Sequence, residues 1–308
     1  MRTDTLRLVA PLTTMLAFGT GGGLAESGAP PSGTDVPVCA DYASPPRQTG
    51  TIPAELHELS GLVASRRHDG VFWAHNDSGN ALELYALDVH GTIRGRFPLD
   101  GPKALDAEDI AAGPCGPDDD TACIYLSDTG DNGQRRKSVQ LFRIVEPTSL
   151  TPRTLDAEAL PFRYPDKPHN VEAMVVDPRD GTAYVITKTI GSLGDVYRVD
   201  GLGPGRMGTA VHVTRLPTPA EFDSYTTGAD VHPSGTRMLL RTYGRGWELR
   251  LPGAPSLREL LAATPVSVPS AAQPQAEAIA YDHRGRGYVL GTEGAGKPIY
   301  HVGCKAPE

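Results

Sequence analysis

Residues 106–133 read D-A-E-D-I-A-A-G-P-C-G-P-D-D-D-T-A-C-I-Y-L-S-D-T-G-D-N-G. A short apolar strand opens on Glu108 and Asp109, and a loop held between Cys115 and Cys123 follows. A second apolar strand runs from Cys123 to Ser127 and ends in Asp128-Thr129-Gly130-Asp131-Asn132. A strand pair that goes up and comes back returns to its starting end. The acids that open the first strand and those that close the second therefore share one sheet edge.

Working outward, the same four parts recur along the chain. Apolar strands open at Ser60-Gly61-Leu62, Glu108-Asp109-Ile110, Glu172-Ala173-Met174, Ala229-Asp230-Val231 and Glu277-Ala278-Ile279. Second strands read V-F-W-A-H, C-I-Y-L-S, A-Y-V-I-T, M-L-L-R-T and Y-V-L-G-T. Third strands carry an aromatic residue two places before an aliphatic one, as in Tyr85 and Leu87 or Trp247 and Leu249. Looser fourth strands follow, as at I-R-G-R-F-P-L and V-H-V-T-R-L-P. The last repeat stops after its third strand, at Cys304. The missing strand is available at 47–53, R-Q-T-G-T-I-P, which precedes Leu62 as the other fourth strands precede their openers. A propeller closes its ring in this way, with its last blade shared between the two ends. The expected fold is all-β, a five-bladed β-propeller of four-stranded antiparallel blades over 47–304. Six blades is the runner-up, with a divergent blade within 145–170 or 201–228. S-L-R-E-L-L-A-A at 256–263 reads as one short helical turn.

The 35 glycines and 28 prolines punctuate short apolar runs, and long helical periodicity is missing. Residues 1–25 read as a signal peptide: Arg2 and Arg7 precede an apolar core from Leu8 to Phe18, and small Gly23 and Ala25 suit cleavage. Residues 26–46 form a flexible Pro/Gly-rich leader and 305–308 a tail. No later run approaches the ~20 apolar residues of a membrane span. A secreted or periplasmic location is expected, and a monomer. A net charge of −8 with no basic tract argues against nucleic-acid binding. Four cysteines in an exported chain suggest disulfides, with Cys115 pairing to Cys123 and Cys39 to Cys304.

In a four-stranded meander the openers and the second-to-third loops share a face. Glu58, Glu108, Glu172, Asp230 and Glu277 then crowd one mouth, where five carboxylates cannot all stay ionised without a counter-charge. A hard cation held by oxygen ligands is the remedy, and calcium is the expected cofactor. The candidate metal ligands are Asp77, Glu108, Asp128, Asp131, Glu172 and Glu277. His75 and Glu172 are candidate proton carriers. His57, His169, Arg135, Arg136 and Lys188 are candidate ligand-binding residues on the same face, suited to an anionic small molecule or a protein.

The strings L-S-G-L-V-A-S…V-F-W-A-H-N-D-S-G-N and A-E-D-I-A-A-G-P…I-Y-L-S-D-T-G-D-N…L-F-R-I-V-E-P, over 58–147, resemble exported bacterial β-propeller proteins of unknown function. N-V-E-A-M-V at 170–175 and Q-A-E-A-I-A at 275–280 extend the likeness more loosely. More remotely the chain is similar to SdiA-regulated-type propellers, which implies calcium in a five-bladed ring. It is also similar to esterase-like phytase propellers, which implies phosphoester hydrolysis. Ser60 and Ala229 stand where 108, 172 and 277 carry glutamate, a departure from a full acidic ring. The expected function is a secreted calcium-binding propeller that recognises a ligand at its acidic mouth. The alternatives are a metal-dependent hydrolase of phosphate esters or lactones, and a metal-free envelope adaptor.

Overall fold

The computed structural model describes residues 37–305 apart from 78, 102 and 255, together with Met1. The expected signal peptide and most of the leader lie outside the described residues. Antiparallel β-meanders make up nearly all of the described chain. Strand β1 (Arg47–Thr51) comes first. The meander β2 (Leu59–Ala64), β3 (Phe72–Asn76), β4 (Glu83–Leu87) and β5 (Ile93–Asp100) follows. The next is β6 (Ala107–Gly116), β7 (Asp119–Asp128) and β8 (Val139–Val145). After the two-residue β9 (Leu155–Asp156) it ends with β10 (Glu158–Arg163). Then come β11 (Val171–Val176), β12 (Ala183–Thr187), β13 (Asp195–Asp200) and β14 (Gly208–Arg215). Strands β15 (Thr226–Val231), β16 (Arg237–Thr242), β17 (Gly246–Arg250) and β18 (Val266–Val268) form another sheet. The last strands are β19 (Ala278–Tyr281), β20 (Gly287–Gly291) and β21 (Pro298–Gly303). A single turn of helix, α1 (Leu257–Leu260), precedes β18, its first turn capped by Ser256 Oγ accepting from Glu259 N.

Strand β1 pairs antiparallel with β21, Arg47 opposite His301 and Thr51 opposite Pro298. The front of the chain thus supplies the fourth strand of the last sheet. The first strands touch one another in cyclic order: β2 with β6, β6 with β11, β11 with β15, β15 with β19, and β19 with β2. Apolar side chains fill the space between each sheet and the next. Ile110, Ile124 and Phe142 pack against Trp73 and Phe97, while Leu62, Phe72 and Tyr85 pack against Ala278, Val289 and Ile299.

The sheets are not all separate. Strand β10 pairs in parallel with β14, Phe162 opposite Gly208, so two meanders merge into one eight-stranded sheet. Strand β9 pairs in parallel with the outer edge of β5. Among the described residues there are four sheets, of four, eight, four and five strands. The parallel pairs cover strand edges that would otherwise present unpaired amides to water or to another chain.

Asp109 ties the first strands together from inside. Its Oδ2 accepts from Met174 N on β11 at 2.8 Å and Ala229 N on β15 at 3.3 Å, and its Oδ1 accepts from Ile110 N at 2.8 Å. The equivalent places on the other first strands are Gly61, Ala173, Gly228 and Ala278, all small. One carboxyl fills the room that these leave. Burial pushes its pKa far up, although the three amides pull the other way.

Disulfides join Cys39 to Cys304, Cα atoms 5.2 Å apart, and Cys115 to Cys123, 5.0 Å apart. The end of the leader expected to be flexible, around Cys39 and Tyr42, instead docks closely, because the disulfide and a buried hydroxyl hold it. Tyr42 bridges to Cys304 and its hydroxyl donates to buried Glu248 at 2.6 Å. Among the described residues no helix is long and apolar enough to cross a membrane.

Candidate metal centre

The mouth is assembled the same way in each repeat. In β2, β6, β11 and β15 the pairing register shifts just after the first residue. A bulge inserts an extra residue and re-aims its side chain. The residues so placed are Ser60, Glu108, Glu172 and Thr227, with Glu277 at the corresponding place before β19. The backbone just ahead accepts an amide from the loop between second and third strands. Glu58 O takes Asp77 N, Asp106 O takes Gly130 N, Asn170 O takes Lys188 N, and Gln275 O takes Glu293 N. These bonds hold the acids of the openers against the acids of the loops.

The fourth opener is Thr227 and not Asp230. Ala229 pairs with Leu240 at the level where Leu62 pairs with Ala74, so Asp230 lies several residues further along its strand. Its Oδ2 accepts from Tyr281 N at 2.8 Å, and it lines a small pocket with Ser65, Arg66 and His283 at the other end of the first strands. Burial raises its pKa to about 8, against the two amides that it accepts.

Three carboxylates meet at the mouth. Oxygens of Asp77, Asp106 and Glu108 lie within 4.8 Å of one another. Asp77 comes from the loop after β3, and the other two come from the entry to β6. Gly130 makes the approach possible: a Cβ there would collide with Glu108 Oε1 and with the Asp106 carboxylate. Glu108 is buried, and no hydrogen bond or ion pair reaches its carboxylate among the described residues. Burial raises its pKa far above the usual carboxylate range, and the negative charges of Glu172, Asp77, Asp106 and Glu277 add to the rise. Glu277 is raised likewise, by burial first and then by a hydrogen bond to, and the charge of, Glu293. Oxygen donors alone, of like charge and partly dehydrated, are the donor set of a hard divalent cation.

Glu172 stands beside this cluster with a different neighbour. Its Oε1 accepts from Lys188 Nζ at 2.8 Å and from Asn170 Nδ2 at 2.9 Å. Burial works against the Lys188 ammonium, but the Glu172 charge and hydrogen bond outweigh it and raise the lysine pKa. The ammonium also faces the rings of Tyr225 and Tyr243, 5.4 and 5.9 Å from their centroids. A groove of about 490 Å³ opens next to it, lined in part by Asn132, Lys167, His169, Asn170 and Tyr225.

The other residues expected at the site make other contacts. Asp128 Oδ1 accepts from Leu105 N, from Asp106 N and from Arg136 at 2.9 Å, and its Oδ2 accepts from Gln140. Asp131 Oδ2 accepts from Arg136 N at 2.7 Å. Arg136 also donates to Gly130 O, so these three residues brace the D-T-G-D turn. Arg135 is exposed beside it. His57 is exposed, its Nε2 3.9 Å from Glu58. His169 Nε2 lies 3.1 Å from both the Asp166 carboxylate and the Tyr197 hydroxyl, off the cluster. His75 is buried at the base of the mouth. Its Nδ1 bonds Asn76 O at 2.9 Å, so that nitrogen carries the proton. Burial lowers its pKa to about 4, against that bond. Its Nε2 faces Gly61, with no hydrogen-bond partner among the described residues.

Asp106 belongs to the cluster and Glu293 is hydrogen-bonded to Glu277, neither having been singled out in the sequence. Asp106 was visible there as the residue two before Glu108, which puts both on one face of an extended strand. Compared with known proteins, the chain matches no family model and no curated protein sequence.

Proposed function

We propose that this chain is an exported five-bladed β-propeller that holds calcium at its acidic mouth and recognises a ligand there. The cyclic contact of the five first strands and the seam between β1 and β21 support the five-bladed reading. The two disulfides support export.

The cation reading rests on one observation. Asp77, Asp106 and Glu108 converge within 4.8 Å from two neighbouring repeats, and among the described residues no hydrogen bond or ion pair reaches the buried Glu108 carboxylate. Like charges so placed, one of them buried, are costly unless protonated or neutralised by a bound ion. The three carboxylates would hold the ion, with Glu277 and Glu172 adding negative potential. The ion would supply a positive centre for a ligand oxygen. Lys188, Asn170 and the adjoining groove would orient the rest of an anionic molecule or a protein loop.

Isothermal titration of calcium into chelator-stripped protein tests this reading. One saturable site is expected, with at least a tenfold loss of affinity in Glu108→Gln and a smaller loss in Glu172→Gln. A flat titration of the folded wild-type protein overturns it.

A further inference from the structure

We infer that the seam between the first and last repeats holds a second binding site, for a small organic anion with a hydrocarbon body, such as a medium-chain aliphatic carboxylate. A cavity of about 420 Å³ lies there, well away from the acidic mouth. That volume falls within the range of small-molecule sites, which are commonly apolar clefts with a few placed polar groups. Its floor is apolar: Val71 and Phe72 at the start of β3, and Val89 in the turn after β4. The turn is fixed against β1, since Thr49 Oγ1 donates to Val89 O at 2.7 Å and His90 Nδ1 meets Thr49 O at 2.9 Å.

The rim is cationic on a chain whose net charge is −8. Arg47 on β1 lies directly opposite His301 on β21, so both project from one face. Arg286 enters from the turn before β20, which is locked to β21 by Cys304 N donating to Arg286 O at 2.9 Å. The two acids at the rim are already engaged. Asp282 Oδ1 accepts the amides of Arg284 and Arg286, and Asp69 accepts from Arg284 at 2.5 Å. Arg47 and Arg286 are exposed, and their guanidinium groups have no ion pair or hydrogen bond among the described residues. Two uncommitted guanidiniums above an apolar floor match a carboxylate head and a hydrocarbon tail, because guanidinium pairs with carboxylate by parallel hydrogen bonds.

Titration of sodium octanoate into the intact protein, followed by calorimetry and by saturation-transfer NMR, tests the site. Acetate serves as the probe without a tail and 1-octanol as the probe without a charge. Octanoate should bind at one site, at least tenfold more tightly than either control. The double variant Arg47→Gln/Arg286→Gln should weaken octanoate at least tenfold and leave octanol unchanged. Val89→Asp, which puts a negative charge on the floor, should abolish octanoate binding. Glu108→Gln should bind octanoate as wild type does, which keeps this result separate from that of the calcium titration. Absence of octanoate binding at millimolar concentration, equal binding of octanol, or full binding by the folded double variant would each overturn the inference.

Discussion

Glu108 concentrates the conflict at the mouth. Its carboxyl ionises near 4.5 in an unfolded chain and only at about 10 in the folded one. Between those values the folded protein holds a proton that the unfolded chain has lost, so each rise in pH favours unfolding. Thermal stability of chelator-treated protein should therefore fall steadily from about pH 5 toward pH 10, a slope to which Glu277 contributes in the same direction. Melting curves across that range check it. Saturating calcium should flatten the slope, because the ion binds the ionised form and displaces the proton. Glu108→Gln should make it shallower without calcium, with Glu277, Asp109 and Asp230 keeping the remainder. An unchanged slope in that variant would place the effect on other groups. Gly130 is the companion residue. Gly130→Ala should displace Glu108 or Asp106 and lower calcium affinity about as much as Glu108→Gln, since a Cβ there takes the space of both carboxylates.

Bulges, turns and edge pairs act at the scale of the element. Asp109 links three first strands through buried amides. In Asp109→Ala the amides of Met174 and Ala229 lose their partner, at about 1–3 kcal/mol for each buried donor left unsatisfied. Asp109→Asn keeps an acceptor and should lose less; urea denaturation of the two variants gives the comparison. The strands themselves were legible in the sequence, because short apolar runs and the aromatic-to-aliphatic step recur in every repeat. The acids at the mouth were only partly legible. Asp128 and Asp131 brace a turn while Asp106 and Glu108 face each other, yet all four look alike as acids beside apolar strands. Thr227 was missed because the expected opener was an acid and the nearest one, Asp230, sits at the wrong level. The parallel pairs at β9 and β14 left no pattern at all, since two residues suffice to make each of them.

At the scale of the whole molecule, closure depends on residues far apart in sequence. The disulfide Cys39–Cys304 spans 265 residues and fastens the segment around Tyr42 beside the last sheet. Cross-links that close long loops restrict the unfolded chain most, and loss of a native one commonly costs about 2–5 kcal/mol. Cys304→Ser should lower the melting temperature by about 4–15 °C while leaving the calcium titration unchanged. Reduced affinity in that variant would mean that the seam and the mouth are mechanically coupled. The seam could be read from the sequence because a strand was missing at one end and spare at the other. What the sequence did not show is how tightly the segment before it is held: Tyr42, Tyr281 and Arg250 all converge on Glu248.

The pairing of β1 with β21 also constrains how the protein is made. A ribosome releases β1 before the other strands described and β21 after them, so β1 must wait without its partner while β2 to β20 emerge. Over that interval the strands that complete its sheet are not yet made, and the apolar face of β2 that packs against them is open. Closure of the cycle of first strands thus waits for β19 and the seam for β21, and factors that shield exposed strands until then are what this topology most requires.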